Sequence, residues 1–190
     1  GEEDERHVEA LLASAGVTPG ETLIGINPST DRSTKNWPLE RFITLADELS
    51  EEFGAKIVLT GGPAEKEVTA LMASRLRRPA LDTTCRLSFR QTPALLRRLS
   101  LFISCDTAAM HLAYAVGVPT VALFGPGDPH KYGPWAPHNI IIARDCPCAP
   151  CMEDRCEEFI CMPAITLEEV LEASRTLLRC YPKGGMKRGA

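Results

Sequence analysis

A chain of 190 residues, 44% of them hydrophobic, is long enough to bury one substantial core and points to a single compact domain. Its 21 basic and 25 acidic residues leave a net charge of -4, without the basic excess of a nucleic-acid surface, so no nucleic-acid partner is expected. No apolar run approaches the roughly 18 residues of a membrane span, and the opening Gly1-Glu2-Glu3-Asp4-Glu5-Arg6 lacks the basic and apolar regions of a signal peptide; a cytoplasmic setting is the expectation.

The chain begins without Met, where Val8, Leu11 and Leu12 share one helical face, so residues 1–20 are expected to be the end of a linker or helix leaving a longer protein. Residues 22–26 read as a strand, 38–53 as a helix with Pro38 in its first turn, 56–60 as a strand, and 63 to about 76 as a helix. After a short strand at 80–82, the capping box Ser88-x-x-Gln91 precedes a helix carrying Ala94, Leu95, Leu96 and Leu99, and 101–104 is the next strand. A helix over 107–116 leads to strands at 120–124 and 139–143. A Cys-rich loop over 146–161 follows, then a last helix opened by the capping box Thr166-x-x-Glu169 and running to about Arg179. The locally basic residues 182–190 are expected to be a flexible, solvated tail.

Strands alternating with helices imply a parallel sheet covered on both faces by right-handed crossovers. The fold class is therefore α/β, a Rossmann-like three-layer sandwich over residues 21–181. In that architecture the loops at 27–36, 61–65, 104–107 and 125–133 follow strands and should converge on one rim, where ligands bind. The run Asp106-Thr107-Ala108-Ala109-Met110-His111 sits at such a strand-to-helix junction, whose unpaired N–H groups and dipole favour an anion; Thr107 and His111, four residues apart, should share a face toward it. Asp106 has two readings, a ligand-holding carboxylate or a helix cap. In the first loop the hydroxyls of Ser29 and Thr30 and the ammonium of Lys35 suit phosphate oxygens, in a loop expected to be exposed and without the Walker spacing. In the second, Gly61-Gly62 permits close backbone approach, and Glu65 is either an acceptor for a ribose diol or a surface acid complementing the helix dipole.

Taken together, Gly25-Ile26-Asn27-Pro28-Ser29 with Lys35-Asn36-Trp37-Pro38, the turn Gly61-Gly62-Pro63, the run from Asp106 to Ala113, and Gly117-Val118-Pro119 continuing to Asp128-Pro129 resemble the C-terminal half of glycosyltransferase family 9, which contains the ADP-heptose:lipopolysaccharide heptosyltransferases. The resemblance covers residues 22–179. It implies a GT-B architecture, two Rossmann-like domains facing a cleft, with this chain the donor-binding half and the N-terminal acceptor domain missing. It implies that Ser29, Thr30 and Lys35 contact the diphosphate of a nucleotide-sugar donor, Glu65 the ribose, and Asp106, Thr107 and His111 the diphosphate and sugar. Ala108 departs from the Gly that family members often carry there. The implied reaction is inverting and metal-independent transfer of heptose from ADP-heptose to the lipopolysaccharide inner core. The base would lie on the missing domain, with Lys35 and Asp106 assisting and no cofactor. The implied setting is cytoplasmic, with peripheral contact at the inner face of the inner membrane. The alternatives are a non-catalytic nucleotide-sugar binding module, a family member using another nucleotide sugar, and a metal-stabilised scaffold.

Five of the eight cysteines fall in one loop, and Cys148, Cys151, Cys156 and Cys161 are spaced C-x2-C-x4-C-x4-C. A cytoplasmic setting disfavours disulfides, leaving either reduced loop thiols or thiolate ligation of zinc or an iron-sulfur cluster, although the spacing departs from the two-knuckle zinc pattern. Cys85, Cys105 and Cys180 read as ordinary buried or incidental residues.

Overall fold

The structure, a computed structural model, describes residues 1–144 and 146–182, so the expected basic tail lies almost wholly outside the described residues. Its centre is a six-stranded parallel sheet built from β1 (Leu23–Asn27), β2 (Lys56–Leu59), β3 (Leu81–Asp82), β4 (Leu101–Cys105), β5 (Thr120–Phe124) and β6 (Asn139–Ala143), in the order β3-β2-β1-β4-β5-β6. The chain winds outward from β1 to one edge, returns to β4, and winds to the other edge. The strand direction of travel thus reverses between β1 and β4, which opens a crevice above their C-terminal ends.

Period-two alternation sorts the strand residues between two cores. Ile24, Ile26, Ile57, Leu59, Leu101, Ile103, Val121 and Leu123 face the layer formed by α2 (Leu39–Phe53), α3 (Lys66–Arg75) and α8 (Leu167–Cys180). Leu23, Val58 and Phe102 face the opposite layer of α1 (Glu2–Ser14), α4 (Thr92–Leu96) and α5 (Ala108–Ala115). The segment expected as the end of a linker is therefore a helix packed on this domain, with Val8 and Leu12 buried beside Leu95 and Leu96. Each such buried side chain contributes about 1.5–3 kcal/mol of transfer free energy. Gly25 in β1 is required by close approach: a Cβ there would lie 2.3 Å from Leu99 Cδ1 and 2.9 Å from the Phe102 ring.

Several boundaries differ from the sequence expectation. β1 runs one residue later, so Asn27 ends a strand instead of opening a loop, and Pro38 is the N-cap of α2 and not a residue of its first turn. The third helix starts only at Lys66, after a 3-10 turn at Pro63–Glu65. The Ser88–Gln91 box forms, with Ser88 N donating to Gln91 Oε1 at 3.0 Å, but the helix beyond it is the short α4 and stops before Leu99. Two four-residue helices, α6 (Pro129–Tyr132) and α7 (Cys161–Ala164), were not legible from periodicity.

The loop after β1 is anchored from outside the sheet. Trp37 is buried, stands edge-on to Phe42 with ring centroids 4.9 Å apart, and donates its indole N–H to Ile165 O at 2.9 Å. Arg41 donates to Pro163 O at 2.6 Å and to Ile165 O. The carbonyls that hold this loop thus lie just before α8.

The cap of α8 holds a strongly perturbed carboxyl. Glu169 accepts from the Thr166 hydroxyl at 2.6 Å and from its N–H at 2.9 Å, and pairs with Arg144. The Thr166 hydroxyl bond first, then its N–H and Arg144, hold the carboxyl down from an ordinary 4.5 to about 2. A depressed folded-state value means that its stabilisation is complete above 4.5 and is lost as pH falls toward about 2. Denaturant titration should therefore show Glu169→Gln less stable than the parent at about pH 6, with the difference vanishing near pH 2. A pH-independent difference would refute the linkage.

Candidate functional site

A crevice of about 540 Å³ lies over the C-terminal ends of β3, β2, β1 and β4. Three of the four expected loops meet in it: Ser29 and Thr30 from the first, Gly61, Gly62 and Glu65 from the second, and Asp106, Thr107 and Ala108 from the third. Leu87, Phe89 and Leu95 form an apolar wall on the β3 side. That wall was not legible in the sequence, because it depends on the segment after β3 folding back beside α4; the only local signal is Phe89, a large apolar side chain left 71% exposed. The fourth loop stays outside the lining but backs it. A Cβ on Gly127 would fall 2.8 Å from Asp106 Oδ2, so only glycine leaves room for the carboxylate.

Asp106 and Lys35 form an ion pair across the β1–β4 gap, Nζ to Oδ2 2.5 Å, with side chains 13% and 10% exposed for Lys35 and Asp106 respectively. The loop bearing Lys35 is thus not the exposed one its polar neighbours suggest. Thr34 is buried and donates its hydroxyl to Glu153 O at 2.8 Å, and Arg32 pairs with Asp154 at 2.9 Å. Asp106 does not cap α5. Thr107 is the N-cap, its hydroxyl accepting from Met110 N at 3.2 Å and lying 3.0 Å from Ser104 Oγ, which frees the Asp106 carboxylate for Lys35.

The N-terminal turn of α5 opens on the crevice at Ala108, whose methyl forms part of the lining. His111 does not join Thr107 there. It stands outside the lining, half-exposed, with Nε2 3.8 Å from Asp106 Oδ1. Thr30 donates its hydroxyl to Arg32 O at 2.8 Å and its N–H to Asn36 Oδ1 at 2.7 Å, which sets the loop's shape. Glu65 folds back so that Oε2 accepts from Gly62 N at 2.6 Å, leaving its other oxygen for a ligand.

The cysteine loop packs against this site, since Met152 N donates to Pro126 O at 3.0 Å and Glu153 and Asp154 hold the first loop. Among the described residues no three His, Cys, Asp or Glu side chains are grouped to hold a metal ion, and the candidates Cys148, Cys151, Cys156 and Cys161 are free. They occupy unlike environments: Cys148 and Cys156 are exposed, whereas Cys161 is buried at the start of α7 against Met162 and Gly125. Of the remaining cysteines, Cys85 and Cys180 are exposed, and burial pushes the Cys105 thiol up to about 12.

A parallel sheet with a crevice at its reversal point, one apolar wall and a helix N-terminus defines a doubly wound α/β domain, an architecture in which ligands bind at that point. The comparisons sharpen that class. The profile of glycosyltransferase family 9 (heptosyltransferase) matches residues 2–160, and the chain belongs to that family. It is 31% identical to lipopolysaccharide heptosyltransferase 1 of Pseudomonas aeruginosa over 142 residues, which is 75% of this chain and 39% of that protein. The crystal structure of the family 9 glycosyl transferase from Veillonella parvula superposes with a TM-score of 0.85 at 30% identity, over 93% of this chain and 52% of the other. The Escherichia coli heptosyltransferase WaaC, solved with ADP, gives 0.58 at 25% identity over 65% of this chain and 38% of the other. The chain thus spans about half or less of the length of these relatives. Among the described residues no helix is long and apolar enough to cross a membrane.

Because Lys35 and Asp106 are nearly buried, losing one partner strands the other. Lys35→Met alone should cost about 3 kcal/mol or more, and Lys35→Met with Asp106→Leu should recover most of it, since an apolar pair of similar volume avoids desolvated charge. Urea unfolding of the two single variants and the double variant measures this. Additive losses would mean that the pair is not coupled.

Proposed function

We propose that this chain is the nucleotide-sugar-binding half of an inverting heptosyltransferase that takes ADP-heptose as donor and the lipopolysaccharide inner core as acceptor. The observation that carries the reading is the layout of the crevice. Adjacent strands stand about 4.8 Å apart, so the path from β3 to β4 is roughly 14 Å, comparable to an extended nucleoside diphosphate. Along it lie an apolar wall over β3 for the base, Glu65 after β2 for the ribose, and Ser29, Thr30, Asp106 and the α5 N-terminus at the β1–β4 gap for the diphosphate, with Lys35 behind the lining and paired to Asp106. Family membership and the solving of a relative with ADP support a nucleotide as the ligand.

In the proposed reaction an acidic residue on an acceptor-binding domain outside residues 1–190 removes the acceptor hydroxyl proton. The hydroxyl oxygen bonds to the anomeric carbon from the face opposite the donor phosphate. The bond from that carbon to the phosphate oxygen breaks, and ADP departs with the electron pair. Charge builds on the diphosphate as it leaves, where Lys35, shared with Asp106, and the free N–H groups at the start of α5 oppose it in a preorganised way. Asp106 holds the ammonium in place and His111 borders the sugar end. The proposed setting is the cytoplasm, with peripheral contact at the inner face of the inner membrane, where the acceptor is made.

Calorimetry on this chain should detect ADP and ADP-heptose binding but no sugar transfer. Glu65→Gln should weaken ADP about tenfold and leave inorganic pyrophosphate unaffected. Lys35→Ala, measured below its melting range, should weaken both by about 1.5–3 kcal/mol, the range for a charge-assisted hydrogen bond. Absence of ADP binding would overturn the proposal. Binding without transfer once the chain is joined to an acceptor-binding domain would reassign it as a non-catalytic binding module.

A further inference from the structure

Two polar side chains on the floor of the crevice lack partners. Asn27 ends β1 and Thr60 follows β2, on neighbouring strands joined by Thr60 N donating to Ile26 O at 3.0 Å. Each is 5% exposed, both line the crevice, and neither Asn27 Oδ1 nor Thr60 Oγ1 has a hydrogen-bond partner among the described residues. Comparable hydroxyls on the same rim are satisfied, Thr83 Oγ1 by Leu59 O at 2.7 Å and Ser104 Oγ by Cys105 O at 2.8 Å. The other unpaired buried atoms, on Thr84, Ser100 and His138, belong to residues outside the crevice lining. Buried polar atoms are nearly always paired, so two orphans side by side in a ligand cavity call for a shared partner.

We infer that Asn27 and Thr60 hold the ribose of the nucleotide from beneath, an inference that rests on the donor-binding reading above. The strand order fixes the segment of ligand concerned, because β2 and β1 lie between the apolar wall over β3 and the ion pair beside β4. The chemistry of the two unpaired oxygens points to the group. An amide oxygen only accepts, so it cannot pair with ionised phosphate, whereas a sugar diol both donates and accepts and matches an amide together with a hydroxyl. Glu65 meets the same diol from the side of the second loop, and the two floor residues complete a three-sided cradle.

The test uses Thr60→Val and Asn27→Leu, both close in shape to the native residues, and compares ADP with 2′,3′-dideoxy-ADP by calorimetry, with a thermal melt of each ligand-free variant. Each variant is expected to bind ADP about tenfold more weakly and dideoxy-ADP as the parent does, so that the preference for the hydroxylated ribose falls. Without ligand, Tm should stay level or rise by about 2–4 °C, because no protein partner is lost. Unchanged ADP affinity in the variants, an equal loss for both nucleotides, or a lowered Tm would overturn the ribose assignment while leaving the donor-binding reading intact. Failure of the unsubstituted chain to bind ADP would overturn that reading and this inference with it.

Discussion

The ion pair between Lys35 and Asp106 is the constraint around which the site is organised. It joins the loops of two strands adjacent in the sheet but 71 residues apart in sequence, at the one gap where the winding reverses. Every neighbouring feature serves its geometry. Gly127 leaves space behind the carboxylate, Thr107 takes over the capping of α5 so that Asp106 is free, and the hydrogen bond and ion pair to Glu153 and Asp154 hold the lysine loop down.

This arrangement separates rigidity from recognition. The charged end of the crevice is locked by protein groups pairing with each other, so it is preorganised for an anion before one arrives. The middle of the crevice is the opposite case, with polar atoms on its floor that the protein leaves unpaired. Sites commonly trade stability for function in this way, and here the trade is confined to two adjacent strand ends.

The fold was legible in the sequence because strand and helix periodicities alternate cleanly, and β5 and β6 fall where their apolar runs predict. The loops carrying Ser29, Glu65 and Asp106 were legible for the same reason, since strand ends fix the rim. What escaped depends on contacts distant in sequence. The burial of Lys35 required knowing that Asp106 faces it. The cap of α5 escaped too, since the only cap reading was Asp106 and the backbone turn gives that place to Thr107. Leu87 and Phe89 carry no periodic signal of their own, and the placement of His111 outside the lining reflects which face of α5 turns inward, since Ala108, Ala109 and Leu112 line the crevice. The cysteine spacing left reduced thiols and ligation both open, and it says nothing of burial, which separates Cys161 from its neighbours.

The tether at Trp37 bears on where the functional unit stops. The family profile ends at residue 160, yet the carbonyls that receive the Trp37 indole and the Arg41 guanidinium belong to residues 163 and 165, and α8 beyond them closes one of the two cores. The stretch that shapes the proposed phosphate loop therefore lies past the end of that profile. Exchange or trimming of domains at the profile's edge would cut through the support of the site, and the natural seam lies after Cys180.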